Sequence, residues 1–215
     1  MKILFGSYKG GPGKSTLATN FAYLLAREGR DVLLVDGDKQ GSSTLWSAIR
    51  SRGEHQPSIT CISAHGEGIN MEIEKLAPKF DDVIIDTAGH DSVELRSAML
   101  AADMLITPVE IALFSTATLA DMQDLIRKGR AFNRGLKAFL VPNRLSTNKV
   151  RGASQLARII EARDQLGDYR LTKAALKERT AYSDVTEHGL AVGEWTDQKA
   201  SQEIEAVFKE ICHGK

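Results

Sequence analysis

The sequence has little cysteine and no long apolar run. Its two cysteines, Cys61 and Cys212, lie far apart without the spacing of metal ligands, which indicates two reduced thiols rather than a disulfide framework or a zinc site. No apolar stretch approaches the roughly 18 residues of a membrane-spanning helix, and the first residues lack the pattern of a secretory signal. These absences predict a cytoplasmic protein.

Net charge is also absent, since 28 basic side chains balance 28 acidic ones. The balance is uneven along the chain, because residues 127–179 carry ten excess positive charges and the segments on either side carry excess negative charge. A basic segment of this kind is typical of a surface that binds a polyanion. The alternative is a set of solvated helix faces whose charges do not converge, and the sequence leaves both open.

Short apolar or β-branched runs alternate with helical patterns along the whole chain. This alternation predicts an α/β fold with a doubly wound, mostly parallel sheet and helices on both faces. A length of 215 residues suits a single domain spanning residues 1–215. We expect strands at 3–6, 32–36, 59–62, 83–86, 104–109, 138–142 and 169–172, and helices at 15–28, 42–52, 68–78, 92–101, 115–132, 151–166, 180–188 and 198–211.

A glycine-rich segment between the first strand and the first helix carries the main functional signal. It reads Lys-Gly-Gly-Pro-Gly-Lys-Ser-Thr over residues 9–16. Glycines let backbone N–H groups curl around an anion beside a helix N-terminus. Lys14 can then reach the β- and γ-phosphates of a nucleotide, and the Ser15 hydroxyl can ligate Mg²⁺. Tyr8 stands where an ordinary Walker A sequence has its first glycine, so the ordinary pattern fails.

Two further strands end in carboxylates, at the edge of the sheet where ligands bind. The second strand ends in Asp36-Gly37-Asp38 and the fourth ends at Asp86. An acid that closes an apolar strand downstream of a P-loop is the Walker B arrangement, in which Asp86 binds Mg²⁺. In the alternative interpretation, Asp36 and Asp38 are solvated turn residues.

The Lys-Gly-Gly-x-Gly-Lys-Ser-Thr box and the Asp-x-Asp box resemble those of the ParA/MinD family of P-loop ATPases, and the likeness extends to about Gly189. Lys39 departs from the family's proline. The resemblance implies a single-domain P-loop NTPase that hydrolyses ATP with Mg²⁺ as cofactor. It assigns catalysis to Lys9, Lys14 and Asp38, nucleotide contacts to Gly10, Gly11, Gly13, Lys14, Ser15, Thr16 and Asn143, and metal binding to Ser15, Asp36 and Asp86.

The same resemblance implies a homodimer that encloses two ATP molecules, with Lys9 reaching the partner's nucleotide. The likeness is greatest to short ParA proteins of the ParF type, which partition plasmids without an N-terminal helix-turn-helix domain. No such domain is expected here, because the first strand starts almost at Met1. The resemblance thus implies DNA (plasmid or chromosome) partition, non-specific DNA binding, a ParB-like or ParG-like adaptor, and nucleoid association in the ATP-bound state.

Lys173, Lys177 and Arg179 are the first candidates for DNA contacts, because residues 172–179 resemble a basic segment of relatives. Two alternative functions stay open: positioning of a protein cargo, and a MinD-like membrane-bound switch. The second needs a basic amphipathic C-terminal helix, whereas the last helical pattern has an acidic polar face, which favours packing against the core. An iron protein or a tyrosine kinase is disfavoured by the placement of the cysteines and by a tail without tyrosines.

Overall fold

Parallel strands form the central layer of the fold. The computed structural model describes residues 1–8, 13–89, 91–110, 116–162, 167 and 169–214, with the backbone alone at 116–119 and 122. The strands in this part of the chain are β1 (Lys2–Phe5), β2 (Val32–Gly37), β3 (Thr60–Ser63), β4 (Asp82–Thr87), β5 (Met104–Val109), β6 (Lys137–Pro142) and β7 (Tyr169–Leu171). Their order is β3-β2-β4-β1-β5-β6-β7, and each neighbouring pair is parallel.

Helices connect the strands and cover the sheet. Those in the described residues are α1 (Lys14–Arg27), α2 (Ser42–Arg52), α3 (Ile69–Leu76), α4 (Val93–Ala101), α5 (Thr116–Phe132), α6 (Lys149–Glu161), α7 (Ala181–Glu187) and α8 (Gln198–Cys212). Side chains of β1 alternate between two cores, since Ile3 and Phe5 join one cluster and Leu4 joins the other. Helices α1, α7 and α8 pack into the first cluster, and α3, α4 and α5 into the second.

The predicted strands and helices are confirmed with ends that differ by two residues or fewer, except at α6. That helix begins two residues early because the Asn148 side chain accepts hydrogen bonds from the N–H groups of Val150 and Arg151, which caps the first turn. It ends at Glu161 instead of residue 166, and residues 163–166 lie outside the described part of the chain.

Helix α8 is a core helix, as its pattern predicted. Ile204, Val207, Phe208 and Ile211 are buried, and the Phe208 ring meets the Phe21 ring of α1 edge-on at 5.3 Å between centroids. Among the described residues, no helix combines the length and the apolar character that crossing a membrane requires.

The register of the central strands determines where the acids lie. Asp36 of β2 pairs with Asp86 of β4, and Asp86 also lies beside Phe5, the last residue of β1. The chain reaches α1 directly after β1, so the amino end of α1 and both acids share the carboxyl edge of the sheet. This edge is the ligand-binding edge of doubly wound folds.

Candidate functional site

Helix α1 begins directly after a left-handed glycine. Gly13 has a φ of +89°, which glycine adopts without the steric penalty of other residues. The first turn that follows contains no acidic residue. Its N–H groups lack helical acceptors, and the positive end of the helix dipole adds to them. The amino end of α1 is therefore suited to bind an anion such as a phosphate.

Lys14, the first residue of α1, is a buried cation. Only 7% of the surface of Lys14 is exposed to solvent. Burial lowers the pKa of the Lys14 ammonium, and the negative charges of Asp86 and Asp38 act in the opposite direction. An open cleft of about 680 Å³ adjoins Lys14 and is lined by the first turn of α1 and the loops after β2 and β4.

Asp36 holds the loop after β2 in place. The residue is fully buried, and its Oδ1 accepts the backbone N–H of Asp38 at 3.1 Å while its Oδ2 accepts that of Thr44 at 2.7 Å. Both carboxylate oxygens thus satisfy backbone donors, one of them in the first turn of α2. The structure assigns Asp36 a positioning role, and its place in a magnesium shell stays a prediction.

Asp38 lines the cleft and is partly exposed to solvent. Its Oδ1 accepts the backbone N–H of Gln40 at 3.0 Å, and its carbonyl accepts that of Gly41 at 2.9 Å. The side chain is therefore oriented by its own turn and by Asp36, on the same cleft as Lys14. Asp36 is fully buried and so is not a solvated turn residue, whereas Asp38 is a partly exposed turn residue whose catalytic role stays a prediction.

Asp86 is fully buried, as Asp36 is. Its Oδ2 accepts the Ser43 hydroxyl at 2.8 Å, whereas its buried Oδ1 accepts no hydrogen bond from the described residues. Burial is the main cause that raises the pKa of Asp86 to about 6, and the charge of Asp36 adds to it. The nearby Ser15 and Ser43 hydroxyls and the Lys14 ammonium lower this pKa. A cation in addition to Lys14 would offset the repulsion between Asp36 and Asp86. It would also bind Asp86 Oδ1, which lacks a partner among the described residues.

These donors fit Mg²⁺. The ion prefers oxygen ligands and is usually held by one or two carboxylates, with substrate phosphates and water completing its shell. Such oxygens are provided at one place by the Ser15 hydroxyl and by Asp86 Oδ1, which has no partner in the part of the chain that the structure describes. Within the part of the chain that is described, no group of three His, Cys, Asp or Glu residues could enclose a metal by itself. Asp86 and Ser15 would leave the other positions around such an ion to phosphate and water oxygens.

Ser43 is a site residue that the sequence reasoning missed. It is fully buried and is the second residue of α2, as Ser15 is the second residue of α1. The two hydroxyls flank Asp86 from two helices. The sequence contains a signal for this position, because the pair Ser42-Ser43 comes directly after Gly41, close behind the Asp-x-Asp box. Gly41 has a φ of +66° and directly precedes α2, as Gly13 precedes α1.

Asn143 lies on the other side of Gly13, at the end of β6. It is buried, and its side-chain Oδ1 accepts the backbone N–H of Arg144 at 2.9 Å. A second cleft of about 630 Å³ lies here, and Asn143 lines it together with Gly13 and Thr16 of the P-loop side and residues 176–180. Asn143 is thus placed beside the phosphate-binding end of α1, where a nucleotide base would follow the phosphates.

Replacing Gly13 with alanine is expected to weaken nucleotide binding by at least about tenfold and to destabilise the fold by about 1–2 kcal/mol. The left-handed backbone is costly for alanine, and the added Cβ would lie 2.8 Å from Asn143 Nδ2. Gly29→Ala is the matched control, because Gly29 has a φ of +82° and open space around its Cβ position. Calorimetric titration and thermal melts test this, and equal nucleotide affinity in the two variants would contradict it.

The three predicted DNA-contacting residues differ in structure. The Arg179 guanidinium forms ion pairs with Glu203 at 2.7 Å and Asp197 at 3.8 Å, and its side chain is 14% exposed. Lys173 is exposed and Lys177 is partly exposed, and neither side chain forms an ion pair among the described residues. The ion pairs of Arg179 weigh against a contact with phosphate. Lys9, Gly10 and Gly11 lie outside the described residues.

Lys14 is a buried lysine that follows a glycine turn, and it shares the carboxyl edge of one parallel sheet with the Walker B acid Asp86. This combination defines a P-loop protein that binds nucleoside triphosphates. The chain belongs to the CobQ/CobB/MinD/ParA nucleotide-binding domain family, whose pattern matches residues 3–192. The family predicted from the glycine-rich and Asp-x-Asp boxes is confirmed, and the protein is a nucleotide-binding ATPase of the ParA/MinD type.

Individual relatives resemble nearly the whole chain. The maintenance of carboxysome distribution protein A of Halothiobacillus neapolitanus is 26% identical over 213 residues, which cover 97% of this chain and 95% of that protein. The ParA protein of Rhizobium radiobacter is 29% identical, over 87% of this chain and 82% of that protein. A plasmid partition protein of Borrelia burgdorferi bound to AMPPNP has the same fold, with a TM-score of 0.76 at 21% identity over 100% of this chain and 99% of that chain.

Proposed function

We propose that this protein is a Mg²⁺-dependent ATP hydrolase of the ParA type that drives DNA partition. The observation that carries the proposal is the buried Oδ1 of Asp86, which has no hydrogen-bond partner among the described residues and lies near Lys14 and the amino end of α1. A magnesium ion and a phosphate chain supply the charges that this arrangement lacks. Ser15 and Asp86 would hold the ion, which would supply positive charge against the negative charge that develops during phosphoryl transfer.

Each residue of the cleft has a role that follows from its position. Lys14 and the first-turn N–H groups of α1 bind phosphate oxygens, and Ser15 and Asp86 hold the ion. Asp38, on the open side of the same cleft, accepts a hydrogen bond from the attacking water and orients it. Asn143 contacts the adenine from the second cleft. Asp36 acts indirectly, through its hydrogen bond to the backbone of Asp38 at 3.1 Å.

The family's dimer supplies the remaining charge. In the proposed dimer two ATP molecules lie between two subunits, and Lys9 of each subunit reaches the nucleotide of the other. A cation that arrives only on dimerisation couples hydrolysis to assembly, as an arginine finger does in other P-loop proteins. Hydrolysis then dissociates the dimer, so the dimer persists only until its ATP is hydrolysed.

An exposed basic helix supports non-specific DNA binding by this dimer. Lys149, Arg151 and Arg158 of α6 are exposed and form no ion pair with any described residue. Arg151 and Arg158 line one shallow surface cleft together with Asn148. Arg151 and Arg158, seven residues apart, share one face of α6, and Lys149 lies in its first turn. Exposed cations bind phosphates irrespective of sequence, and dimerisation doubles their number. Lys173 and Lys177 remain further candidates.

The DNA-binding proposal predicts a nucleotide-dependent affinity. Wild-type protein with Mg-ATP should bind a random-sequence duplex at least about tenfold more tightly than with Mg-ADP or without nucleotide, because the dimer presents two basic faces. Fluorescence anisotropy at several salt concentrations measures this. Equal affinity in the three nucleotide states would refute it.

Charge-removal variants locate the DNA surface. The triple variant Lys149→Ala, Arg151→Ala, Arg158→Ala should weaken the ATP-dependent binding and reduce its salt dependence by about one unit of slope for each lost phosphate contact. A matched control removes the same charge from exposed residues elsewhere, Arg52, Lys75 and Lys79. An equal loss in both triple variants would show that net charge alone, and not α6, accounts for the affinity.

The identity of the cargo is a separate part of the proposal. Likeness to the ParA protein of Rhizobium radiobacter is in line with a DNA cargo. In this proposal a ParB-like or ParG-like adaptor binds the cargo DNA and stimulates hydrolysis. Likeness to a carboxysome distribution protein over 97% of the chain favours, as second candidate, the positioning of a protein cargo on the same ATPase cycle. Loss of plasmid retention after deletion of the gene, with protein assemblies still evenly distributed, would decide for DNA.

A further inference from the structure

The wall of the second cleft is a loop between β7 and α7. Residues 176–180 of this loop line the cleft opposite Asn143. Backbone hydrogen bonds tie the loop to the end of β6: the N–H of Leu176 donates to Pro142 at 2.9 Å, and the N–H of Leu145 donates to Leu176 at 3.0 Å. Asn143 lies between these two anchor points. The wall and Asn143 thus form one connected unit.

Two glutamates of the C-terminal helix α8 hold the same loop from behind. The carboxylate of Glu210, which is 9% exposed, accepts the backbone N–H groups of Lys173 and Ala174 at 2.9 Å. Glu203 Oε2 accepts the backbone N–H of Lys177 at 3.1 Å, and its two oxygens also accept Arg179 Nε and Nη2 at 3.1 and 2.7 Å. The two glutamates are seven residues apart, about two helical turns, so they project from one side of α8.

Helix α8 gives these carboxylates a rigid base. Its apolar side packs into the core against α1, and Ile204, next to Glu203, also lines the second cleft. Backbone N–H groups in a partly buried loop need acceptors, and here two acidic side chains provide them. Charge-assisted hydrogen bonds of this kind are stronger than those between neutral groups. The position of the loop therefore depends on α8.

We propose that Glu203 and Glu210 are positioning residues for the nucleotide base. They hold the wall of the base cleft against Asn143, so affinity for the base depends on α8 whereas affinity for the phosphates does not. Lys14, Ser15 and Asp86 share no hydrogen bond or ion pair with either glutamate among the described residues. This inference rests on the proposed ATP site and adds to it a device that selects nucleotides over bare phosphate chains.

Two ligands separate the base cleft from the phosphate cleft. The dissociation constants of Mg-ATP and of Mg-tripolyphosphate are measured by calorimetry on wild-type protein and on the variants Glu203→Gln and Glu210→Gln. The glutamine amide places a donor against the loop's N–H donors, so the affinity for Mg-ATP should fall about tenfold while that for tripolyphosphate changes less than about twofold. Each ligand is titrated separately into a portion of one protein preparation. An unfolded fraction then lowers the apparent stoichiometry of both ligands equally.

Glu205→Gln is the matched control on the same helix. Glu205 pairs with Arg27 at 2.9 Å and with Lys209 at 3.3 Å, and among the described residues it shares no hydrogen bond or ion pair with the loop. This variant should therefore keep the wild-type ratio of the two dissociation constants. If a glutamine variant does not fold, Glu203→Asp, which keeps the charge but shortens the reach, replaces it. A parallel loss of both ligands, or an unchanged ratio in the Glu203 and Glu210 variants, would overturn the inference. Failure of wild-type protein to bind Mg-ATP would instead overturn the proposed function on which it rests.

Discussion

Replacing Lys14 with alanine is expected to weaken Mg-ATP binding by about 100-fold or more and to abolish measurable ATP turnover. Lys14 is a cation that is 7% exposed, at the amino end of α1 and on the cleft that Asp38 also lines. Solvent cannot replace its charge there, so the triphosphate would face Asp86 and Asp38 without compensation. Calorimetric titration and a phosphate-release assay measure the two effects.

The control for this variant removes the same charge from the opposite edge of the sheet. Lys2 lies at the amino end of β1 and pairs at 3.4 Å with the exposed Glu74, so Lys2→Ala should leave nucleotide affinity unchanged. Lys14→Ala should also melt at or above the wild-type temperature, because it removes a cation that burial disfavours, as the lowered pKa of Lys14 shows. Nucleotide binding by Lys14→Ala within about threefold of wild type would exclude the proposed phosphate cleft.

Replacing Asp38 with alanine should slow ATP hydrolysis by about 100- to 1,000-fold and leave Mg-ATP affinity within about threefold of wild type. Asp38 is partly exposed on the cleft, whereas Lys14 and Asp86, which we propose hold phosphate and metal, are buried. A carboxylate that only orients water contributes to the reaction and little to binding. The variant should therefore accumulate as an ATP-bound dimer, which light scattering after size-exclusion chromatography detects.

The Asp38→Asn variant distinguishes the effect of the carboxylate's charge from its effect on the shape of the loop. Asp38→Asn keeps an oxygen that can accept the backbone N–H of Gln40, the contact that spans 3.0 Å in the native turn. We expect it to be as slow as the alanine variant, because a neutral amide accepts a hydrogen bond from water more weakly than a carboxylate does. Near-normal hydrolysis by Asp38→Asn would show that Asp38 only shapes the turn. A monomeric Asp38→Ala protein in Mg-ATP would likewise count against the assigned role.

The fold was predictable because its signals are local. Continuous apolar runs such as 83–86 identify strands covered on both faces, and the helices between them make a parallel sheet necessary. Parallel strands bring their carboxyl ends to one edge, which is why the order of strands and helices in the sequence suffices to place Asp36 and Asp86 together. The end of α6 was not predictable in this way, since no glycine or proline terminates the helical pattern at Glu161.

The roles of single side chains were less predictable than their locations. Arg179 is a basic residue in a basic segment, but Glu203 and Asp197, 24 and 18 residues further along the chain, take up its charge. Asp36 has the position of a metal ligand, but its oxygens bond the backbone at Asp38 and Thr44. Both outcomes depend on which residue of a distant or adjoining element comes within hydrogen-bonding distance, and sequence spacing contains no such information.

The amino-acid sequence by itself determined the parallel α/β architecture, the phosphate-binding turn and the edge at which the acids meet, because periodicity and glycine placement act over a few residues. Tertiary structure alone decided that Ser43 bonds Asp86, that Oδ1 of Asp86 stays without a partner among the described residues, and that Glu203 and Glu210 of α8 hold the loop that lines the second cleft. These contacts join residues tens of positions apart, and only the packing of helices on the sheet brings their atoms within reach.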